Sequence, residues 1–513
     1  MSLISIPAAA SEKQRRFEVL AATSGVSFMI MLDANIVAVS LPSIAGYLHS
    51  AFSGVEWVVS AYILAFVACL LPAGAIADRL GRKNCLRWGL AIFTLASVFC
   101  GLSESIAQLN IGRALQGIGA ALQLSSALAV LGQEFQGHDR AKAFAVWGVV
   151  IGVAATAGPI VGGIITAGPG WQWAFLINAP IGLALFLLST RSVNESKDAL
   201  HARLDIGGAL LFAAALTCFA TALIDGGNQG FGLFSVKAFF LAGALLFTVF
   251  ICVERRRHRP MLDLGLFRRP AFIGSSLAMF AFASTCYVMT TYLPVFLQGT
   301  FFSNPAETGL ALMPFSIPFL AGPWFAARLS HNFSGRGILV IGLLLAAAGN
   351  AAVAWAATGS YLFVAIGMCI LGLGAGLLNG ETARVSMQVV PVERAGMASG
   401  LASTVRFVGL LVSLTGLGAV LTMGISRYFV LKHSYLPQAD TLDLREVVHH
   451  VAAGQAGSWL TQNVPVGDIA PWLQTAHQGF IYGFSLLMAC AALIAALSAL
   501  GTFILLGRAP QRL

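Results

Sequence analysis

The sequence predicts an all-α polytopic membrane protein. Three observations carry that prediction: an apolar composition, a succession of long apolar runs, and a lopsided placement of basic residues. Of 513 residues, 58% are hydrophobic and 10% charged, with a mean hydropathy of +0.82. A soluble chain carries roughly 45–50% apolar and about 25% charged residues, so the excess belongs in lipid. Backbone groups in hydrocarbon need partners within their own segment, which makes each apolar run a helix.

Fourteen runs can be read, at 19–43, 55–77, 86–104, 106–133, 142–168, 173–190, 205–225, 235–254, 271–298, 306–327, 337–357, 361–390, 396–426 and 479–507. Each is long enough to cross ~30 Å of hydrocarbon. The runs at 106–133 and 361–390 contain charges and are the weakest by hydropathy alone. With the N-terminus inside and the spans alternating, 23 of the 30 Lys and Arg fall on the inside. Only Lys237, Arg427, Lys432 and Arg445 fall outside; Arg113, Arg384 and Arg406 lie within spans. That split places both termini in the cytoplasm of a multi-pass protein of the cell inner (plasma) membrane. It also accounts for much of the +9 net charge without nucleic acid as a partner. No cleavable signal pattern is visible; the polar, basic Ser11–Arg16 segment leads straight into the first run, which doubles as an insertion signal.

The eight cysteines are scattered and include no CxxC pair, so neither a disulfide framework nor a metal site can be read. P-loop and GxSxG motifs and metal-spaced histidine clusters are absent from the sequence. An enzyme, a receptor or an ATP-driven pump is therefore disfavoured. The expected energy source is a proton gradient, with no cofactor.

An internal repeat sets the organisation. Gly117-Ile-Gly119-Ala120 runs on to Asp139-Arg140-Ala141, and Gly372-Leu-Gly374-Ala375 to Glu393-Arg394-Ala395, at offsets of 255 and 254 residues. Duplicated halves are a transporter signature. The expected plan is a six-helix bundle over 1–190, two inserted helices and a basic cytoplasmic loop over 191–270, and a second six-helix bundle over 271–513. The last bundle includes an external loop, 428–478, in which Thr441–Ala453 has the pattern of an amphipathic capping helix.

Several motifs carry chemistry. Gly74-Ala-Ile-Ala-Asp78-Arg79-Leu-Gly81-Arg82-Lys83 joins the second and third spans. Gly74 permits close helix approach, Asp78 suits a helix N-terminus or an arginine, and Arg82 and Lys83 hold the loop in the cytoplasm. A degenerate copy runs from Gly322 to Arg336, with His331, Asn332 and Ser334 where aspartate, arginine and glycine would recur. Asp33 stands alone within the first span, where an acid normally faces a cavity or a partner. Arg113, in Arg113-Ala-Leu-Gln116-Gly117-Ile-Gly119, is its natural partner; arginine cannot shuttle protons itself but can set a carboxylate's affinity for one. Asp33 is read as a proton site or as half of a structural ion pair. Gly148, Gly152, Gly158, Pro159, Gly162 and Gly163 recur along the fifth span and allow tight packing and a kink. Asn379-Gly-Glu381-Thr-Ala-Arg384 puts a carboxylate in the second bundle. Glu381, with Asn379, is a candidate for a cationic substrate or a proton; alternatively Glu381 pairs with Arg384 three residues on. Asp225 is read as an interfacial end residue.

These motifs resemble the major facilitator superfamily. Gly74–Lys83 is similar to its G-x-x-x-D-R-x-G-R-K signature, and Gly158-Pro159-Ile-Val-Gly162-Gly163 to its antiporter motif. Leu32-Asp33-Ala-Asn35-Ile36-Val37-Ala38-Val39-Ser40-Leu41-Pro42 and Trp171-Gln-Trp173-Ala-Phe175-Leu-Ile-Asn178-Ala-Pro180 resemble segments of fourteen-span drug:proton antiporters, as does Pro260–Arg268. The first segment departs from the pattern at Asn35, Ala38 and Ser40. The resemblance implies two bundles plus two helices, a gating latch at Gly74–Lys83, and proton coupling through Asp33 and Arg113. It implies export of lipophilic, cationic drugs or toxic compounds by a monomer; a carrier for one specific metabolite is the alternative. A periplasmic adaptor is left open.

Overall fold

The structure, a computed structural model, describes residues 8–50, 52–196, 206–256, 265, 268–302, 304–388, 395–432, 435–437, 442–454, 456–465 and 468–507. It is helical throughout these residues. In chain order the helices are α1 (Ala8–Tyr47), α2 (Phe52–Leu80), α3 (Arg82–Gly101), α4 (Ile106–Glu134), α5 (Gly137–Ala167), α6 (Trp173–Leu176), α7 (Asn178–Ser192), α8 (Ile206–Gln229), α9 (Phe234–Arg256) and α10 (Pro270–Phe282). A π-helical turn, Ala283–Tyr287, leads into α11 (Met289–Thr300). There follow α12 (Pro305–Ala311), α13 (Met313–Leu329), α14 (Gly335–Ala356), α15 (Tyr361–Gln388), α16 (Ala395–Lys432), α17 (Leu444–Ala452), α18 (Ala456–Asn463) and α19 (Ile469–Gly507).

Twelve of the described helical segments are long and apolar enough to cross a bilayer; the number is thirteen if α12 and α13, inclined at 41°, make one bent span. The protein is therefore a multi-pass membrane protein. In α2 the apolar stretch so defined is shorter, Gly54–Leu70. Of the two charge-bearing runs, 106–133 lies wholly within α4, and the described part of 361–390 forms α15 without interruption. The last run begins ten residues earlier than its hydropathy indicates, at Ile469, because helical hydrogen bonding continues through the polar Gln474 and His477.

Local signals fix many of the ends. Ser105 accepts from Gln108 N–H at 3.3 Å and caps α4; Asn304 caps α12 ahead of Pro305, its side chain accepting from Ala306 N–H at 2.9 Å. Gly81 divides α2 from α3 at φ +111°, a conformation that suits glycine alone.

The repeat reappears as equivalent packing. α4 lies against both α2 and α3, as α15 lies against α13 and α14. A Cβ on Gly117 would fall 2.3 Å from the Tyr62 carbonyl oxygen, and one on Gly372 would fall 2.2 Å from that of Phe315. Likewise a Cβ on Gly119 would fall 2.6 Å from Phe93 N and one on Gly374 2.8 Å from Ala346 N. These glycines let three backbones meet where any side chain would hold them apart. For description, α1–α7 are called here the first half and α10–α19 the second half, and α8 and α9 pack on each other as a hairpin.

The halves meet along two seams. On one, α5 packs against α12 and α13; on the other, α2 packs against α16, and α8 touches both. The far ends of α1, α3 and α5 share one face of the molecule with α17 and α18, called here the lid end. Asp443 caps α17, accepting from Arg445 N–H at 2.9 Å. Val447, Val448, Val451 and Ala452 of α17 are buried against the ends of α16, α19 and α2, which matches the amphipathic pattern read in the sequence.

Candidate functional site

Asp33 and Arg113 meet at the centre of the first half. Both are buried, at 0% and 1% side-chain exposure, and Arg113 Nη1 donates to Asp33 Oδ2 at 2.7 Å. Asp33 Oδ1 accepts from Asn178 Nδ2 at 2.8 Å and from Gln116 Nε2 at 3.1 Å. Arg113 also donates from Nε to the Val58 carbonyl at 2.9 Å and from Nη1 to Gln116 Oε1 at 2.8 Å. Ser97 Oγ accepts from Gln116 and Asn178, each at 2.9 Å, and donates to the Phe175 carbonyl. The Tyr62 ring lies 4.2 Å from the guanidinium carbon.

The site thus gathers side chains from α1, α3, α4 and α7 and a carbonyl from α2. A carboxylate with three donors, one of them a guanidinium, is a fully answered charge, the arrangement that makes burial of an ion pair tolerable. Gln116 and Asn178 stand in the motifs read from the sequence but had no role there; Ser97 was not singled out. Neutral polar residues in apolar runs are common, so only the charge pair gave a signal.

The residues of the fifth span divide. Gly158 packs on Asn35 of α1, where a Cβ added to it would fall 2.4 Å from the Asn35 Cβ; a Cβ on Gly162 would fall 2.9 Å from Ile36 Cα and one on Gly163 2.3 Å from the Pro305 carbonyl oxygen. Across the seam Gly309 answers: a Cβ on it would fall 2.5 Å from the Pro159 carbonyl oxygen. Gly152 faces Leu320 at 3.1 Å, whereas Gly148 has nothing within 4 Å. The expectation of tight packing therefore fails at Gly148: motif spacing marks glycines but not which of them faces a neighbour.

At the α2–α3 turn, a Cβ on Gly74 would lie 3.1 Å from Ser125 Oγ of α4, the close approach expected of that residue. Lys83 N–H donates to Glu195 Oε1 at 3.2 Å, Arg82 N–H to the Ser196 carbonyl at 3.0 Å, and Arg82 Nη1 to Gln133 Oε1 at 2.8 Å. Arg79 is exposed. These described bonds stay within the first half; the Asp78 side chain lies outside the described residues, as does most of Pro260–Arg268. Glu195 was not anticipated, since it follows a span in a short polar segment with no motif around it.

Glu381 is buried and forms a two-pronged ion pair with Arg384, whose Nε donates to Oε2 at 2.8 Å. Gly335, at the start of α14, closes over the pair, its would-be Cβ 3.0 Å from Glu381 Oε1. Glu381 therefore sits at the α13–α14 turn rather than deep in the second half. Asn379 Oδ1 accepts from Arg406 Nη2 at 2.5 Å. Arg406 lies over the rings of Phe282 and Tyr287, at 4.7 and 5.5 Å. Tyr287 in turn donates to Met31 Sδ across the seam, and Phe66 meets Phe407 at 4.4 Å between centroids. The middle of the α2–α16 seam is thus aromatic, with one guanidinium. Among the described residues no group of three or more His, Cys, Asp or Glu is placed to hold a metal ion.

Comparison with known proteins agrees with this architecture. Residues 23–414 match the model of the Major Facilitator Superfamily. The chain is 31% identical to the Multidrug resistance protein Stp of Mycobacterium tuberculosis over 460 residues, which cover 90% of this chain and 84% of that one. It is 30% identical to the Tetracenomycin C resistance and export protein of Streptomyces glaucescens over 489 residues, covering 94% and 89%. Among solved structures, a bacterial homologue of the human lysosomal transporter Spinster, inward-facing and unoccupied, superposes with a TM-score of 0.63 at 15% identity. That match covers 96% of this chain and 97% of the other.

Proposed function

Because the chain belongs to the Major Facilitator Superfamily, we propose that it is a proton-coupled antiporter exporting lipophilic compounds, cationic ones among them, across the cell inner membrane. The observation that carries this reading is the enclosed Asp33–Arg113 pair. Ionisable residues within membrane spans are rare and mark functional sites by default. An acid whose cation partner can be displaced is a device for taking up a proton in one conformation and giving it back in another. The relatives named for drug resistance and export support the direction of transport and the substrate class.

In this reading the chain crosses the bilayer fourteen times, with α2 and the α12–α13 pair each counted as one span. Both termini and the α2–α3 turn are cytoplasmic, and 428–478 with its lid helices is external. The Gly158–Gly163 segment, backed by Gly309, is where the halves seal at the lid end. Gly74–Lys83 gates the opposite end. The lipophilic substrate lies against Phe66, Phe407, Phe282 and Tyr287, near Asn379. Glu381 serves as a brace with Arg384 rather than as the cation site, because its charge is already answered.

The alternative, a carrier for one specific metabolite, draws on Arg406. Its Nε is buried without an acceptor among the described residues, and a carboxylate-bearing compound would supply one. Everted membrane vesicles separate the readings. Export of a cationic and of a neutral lipophilic dye, driven by an imposed pH gradient and stopped by a protonophore, is the expected result. Transport confined to small anionic metabolites would favour the alternative, and dye export indifferent to the gradient would end the proton-coupled reading. Glu381→Gln should lower export of both dyes equally, in step with the amount of protein in the membrane.

A further inference from the structure

Glu56 is an acid that the proposed function does not use. It lies just inside α2, 5% exposed, and its Oε1 is buried with no hydrogen-bond partner. It faces the second half. A Cβ on Gly418 of α16 would fall 1.8 Å from Glu56 Oε1 and 2.8 Å from the Tyr292 hydroxyl of α11. The missing side chain at Gly418 is what lets the carboxyl reach across the seam. The rest of the lining is apolar, with Leu41, Pro42, Val295 and Leu414 and, at the foot of the lid helix, Ala453, apart from Thr291, a neutral hydroxyl. They leave a cavity of about 20 Å³, room for a single water molecule.

Charges nearby are few and committed. Tyr292, the one other titratable group lining the cavity, donates its proton to the Leu414 carbonyl. On α4, Arg113 comes as near as the Val58 carbonyl but is held by Asp33 of α1. Arg445, Glu446, His449 and His450 of α17, Cys218 and Asp225 of α8, and Arg406, Arg427 and Lys432 of α16 are not among the lining residues. An ionised carboxylate in so apolar a setting, with no cation, is strongly disfavoured, whereas a neutral carboxyl is tolerated.

We propose that Glu56 is a proton-binding site in the outer gate, loaded from the external water as the α2–α16 seam closes over it. This rests on the proton-antiport reading only for its place in a transport cycle. When the lid end opens, water reaches the carboxylate and it is ionised. Closure requires a proton from that water to bond to the carboxylate oxygen, and reopening returns the proton to the same side. Glu56 therefore sets when the outer gate can shut without adding to the protons carried. External acid favours the closed gate, and the ratio of open to closed changes by about tenfold per pH unit for one linked proton.

The test is the distance between spin labels at Leu102→Cys and Val430→Cys, both exposed positions at the lid end. It uses the full chain in lipid nanodiscs, with the eight native cysteines replaced. Titration is done in an Asp33→Asn background, so that Asp33 contributes no proton. The open fraction should rise with pH at about the tenfold slope. Glu56→Gln should hold the gate closed and flatten the titration, Glu56→Asp should keep the slope, and Gly418→Ala should favour the open gate by displacing the carboxyl. A flat titration in the parent, or an unchanged slope in Glu56→Gln, overturns the site whatever drives transport. A slope that depends on Glu56 supports it, even if dye export in vesicles proves independent of the pH gradient.

Discussion

The two halves are built on one backbone pattern and filled with opposite chemistry. In each, a central helix is drawn between two others by paired glycines, Gly117 and Gly119 in one and Gly372 and Gly374 in the other. At the heart of the first half lie Asp33, Arg113 and Gln116. At the repeat offset of 255 residues, Arg113 corresponds to Met368 and Gln116 to Leu371, both fully buried. Aligned on the shared Leu41-Pro42 and Leu293-Pro294 pairs, Asp33 corresponds to Thr285, and Ser97 to Asn350 through the glycine contacts. Asn350 merely donates to the Thr285 carbonyl at 2.9 Å. The backbone contacts preserve the shape and leave the interior free to differ. One half holds a buried charge pair at its centre, while the other holds Met368, Leu371 and the neutral polar Thr285 and Asn350 there.

The most severe way to break the comparison is at the charges. Asp33→Asn should reduce pH-gradient-driven export at least about tenfold, a loss of roughly 1.4 kcal/mol or more in the driven step. The chain should remain inserted in the membrane, and Thr285→Val should export normally. Transport assays normalised to membrane protein decide this, and normal driven export by Asp33→Asn would sink its assignment. Next comes stability. Arg113→Met strands a buried carboxylate and should cost about 3–5 kcal/mol, whereas Met368→Leu should cost less than about 1.5 kcal/mol. Denaturation midpoints in detergent measure both. Similar costs would mean that the network contributes no more than packing.

Smaller effects sharpen the likeness rather than the difference. Gly117→Ala and Gly372→Ala each place a methyl about 2 Å from a carbonyl oxygen and should destabilise to a similar degree, about 1–3 kcal/mol. A large inequality would show that the halves are not equivalent even in their backbone. The smallest effect concerns the lid, which has no counterpart in the first half. Burial, helped by the neighbouring His450, lowers the pKa of His449 below its ordinary 6.5, against Asp443 and Glu446, which pull it up. Above that value His449 is neutral whether the lid is folded or not, and the lid has its full stability. As the pH falls below about 6.5, the unfolded lid binds a proton more readily than the folded one and stability declines. Protease nicking within 428–478 should therefore increase a few-fold in mild acid, and His449→Gln should remove the pH dependence.

Much of this plan was legible in the chain. Apolar runs marked the membrane helices because lipid permits few other structures, although helix ends outran hydropathy at Ala8 and Ile469, where polar turns extend beyond the apolar stretch. Asp33 and Arg113 could be paired because each is costly alone in a span. Asn178 and Ser97 could not, since a neutral amide or hydroxyl carries no such penalty signal. Glu56 was missed because it opens an apolar run and looks like a flank; only the fold turns it against Gly418. For Glu381 the sequence left a cation or proton site and a pair with Arg384 both open, because it gives depth along a helix but not the neighbour at its end; the structure shows the pair.

The α8–α9 hairpin has a consequence for how a lipid-soluble molecule meets this protein. α8 lies across the α2–α16 seam and is fastened to the second half, with Gly227 against Ala419 and its carbonyl accepting from Thr422 Oγ1 at 3.0 Å. α9 backs it with Phe234, Leu241 and Leu245 turned outward. The opposite seam, between α5 and α12–α13, has no such screen among the described residues and presents Val149, Ile164 and Ile317 at its surface. A compound dissolved in the bilayer thus faces a shuttered flank and a bare one. Bulky side chains placed at Val149 or Ile317 would narrow the bare flank, whereas the same bulk on α9 would leave that flank open.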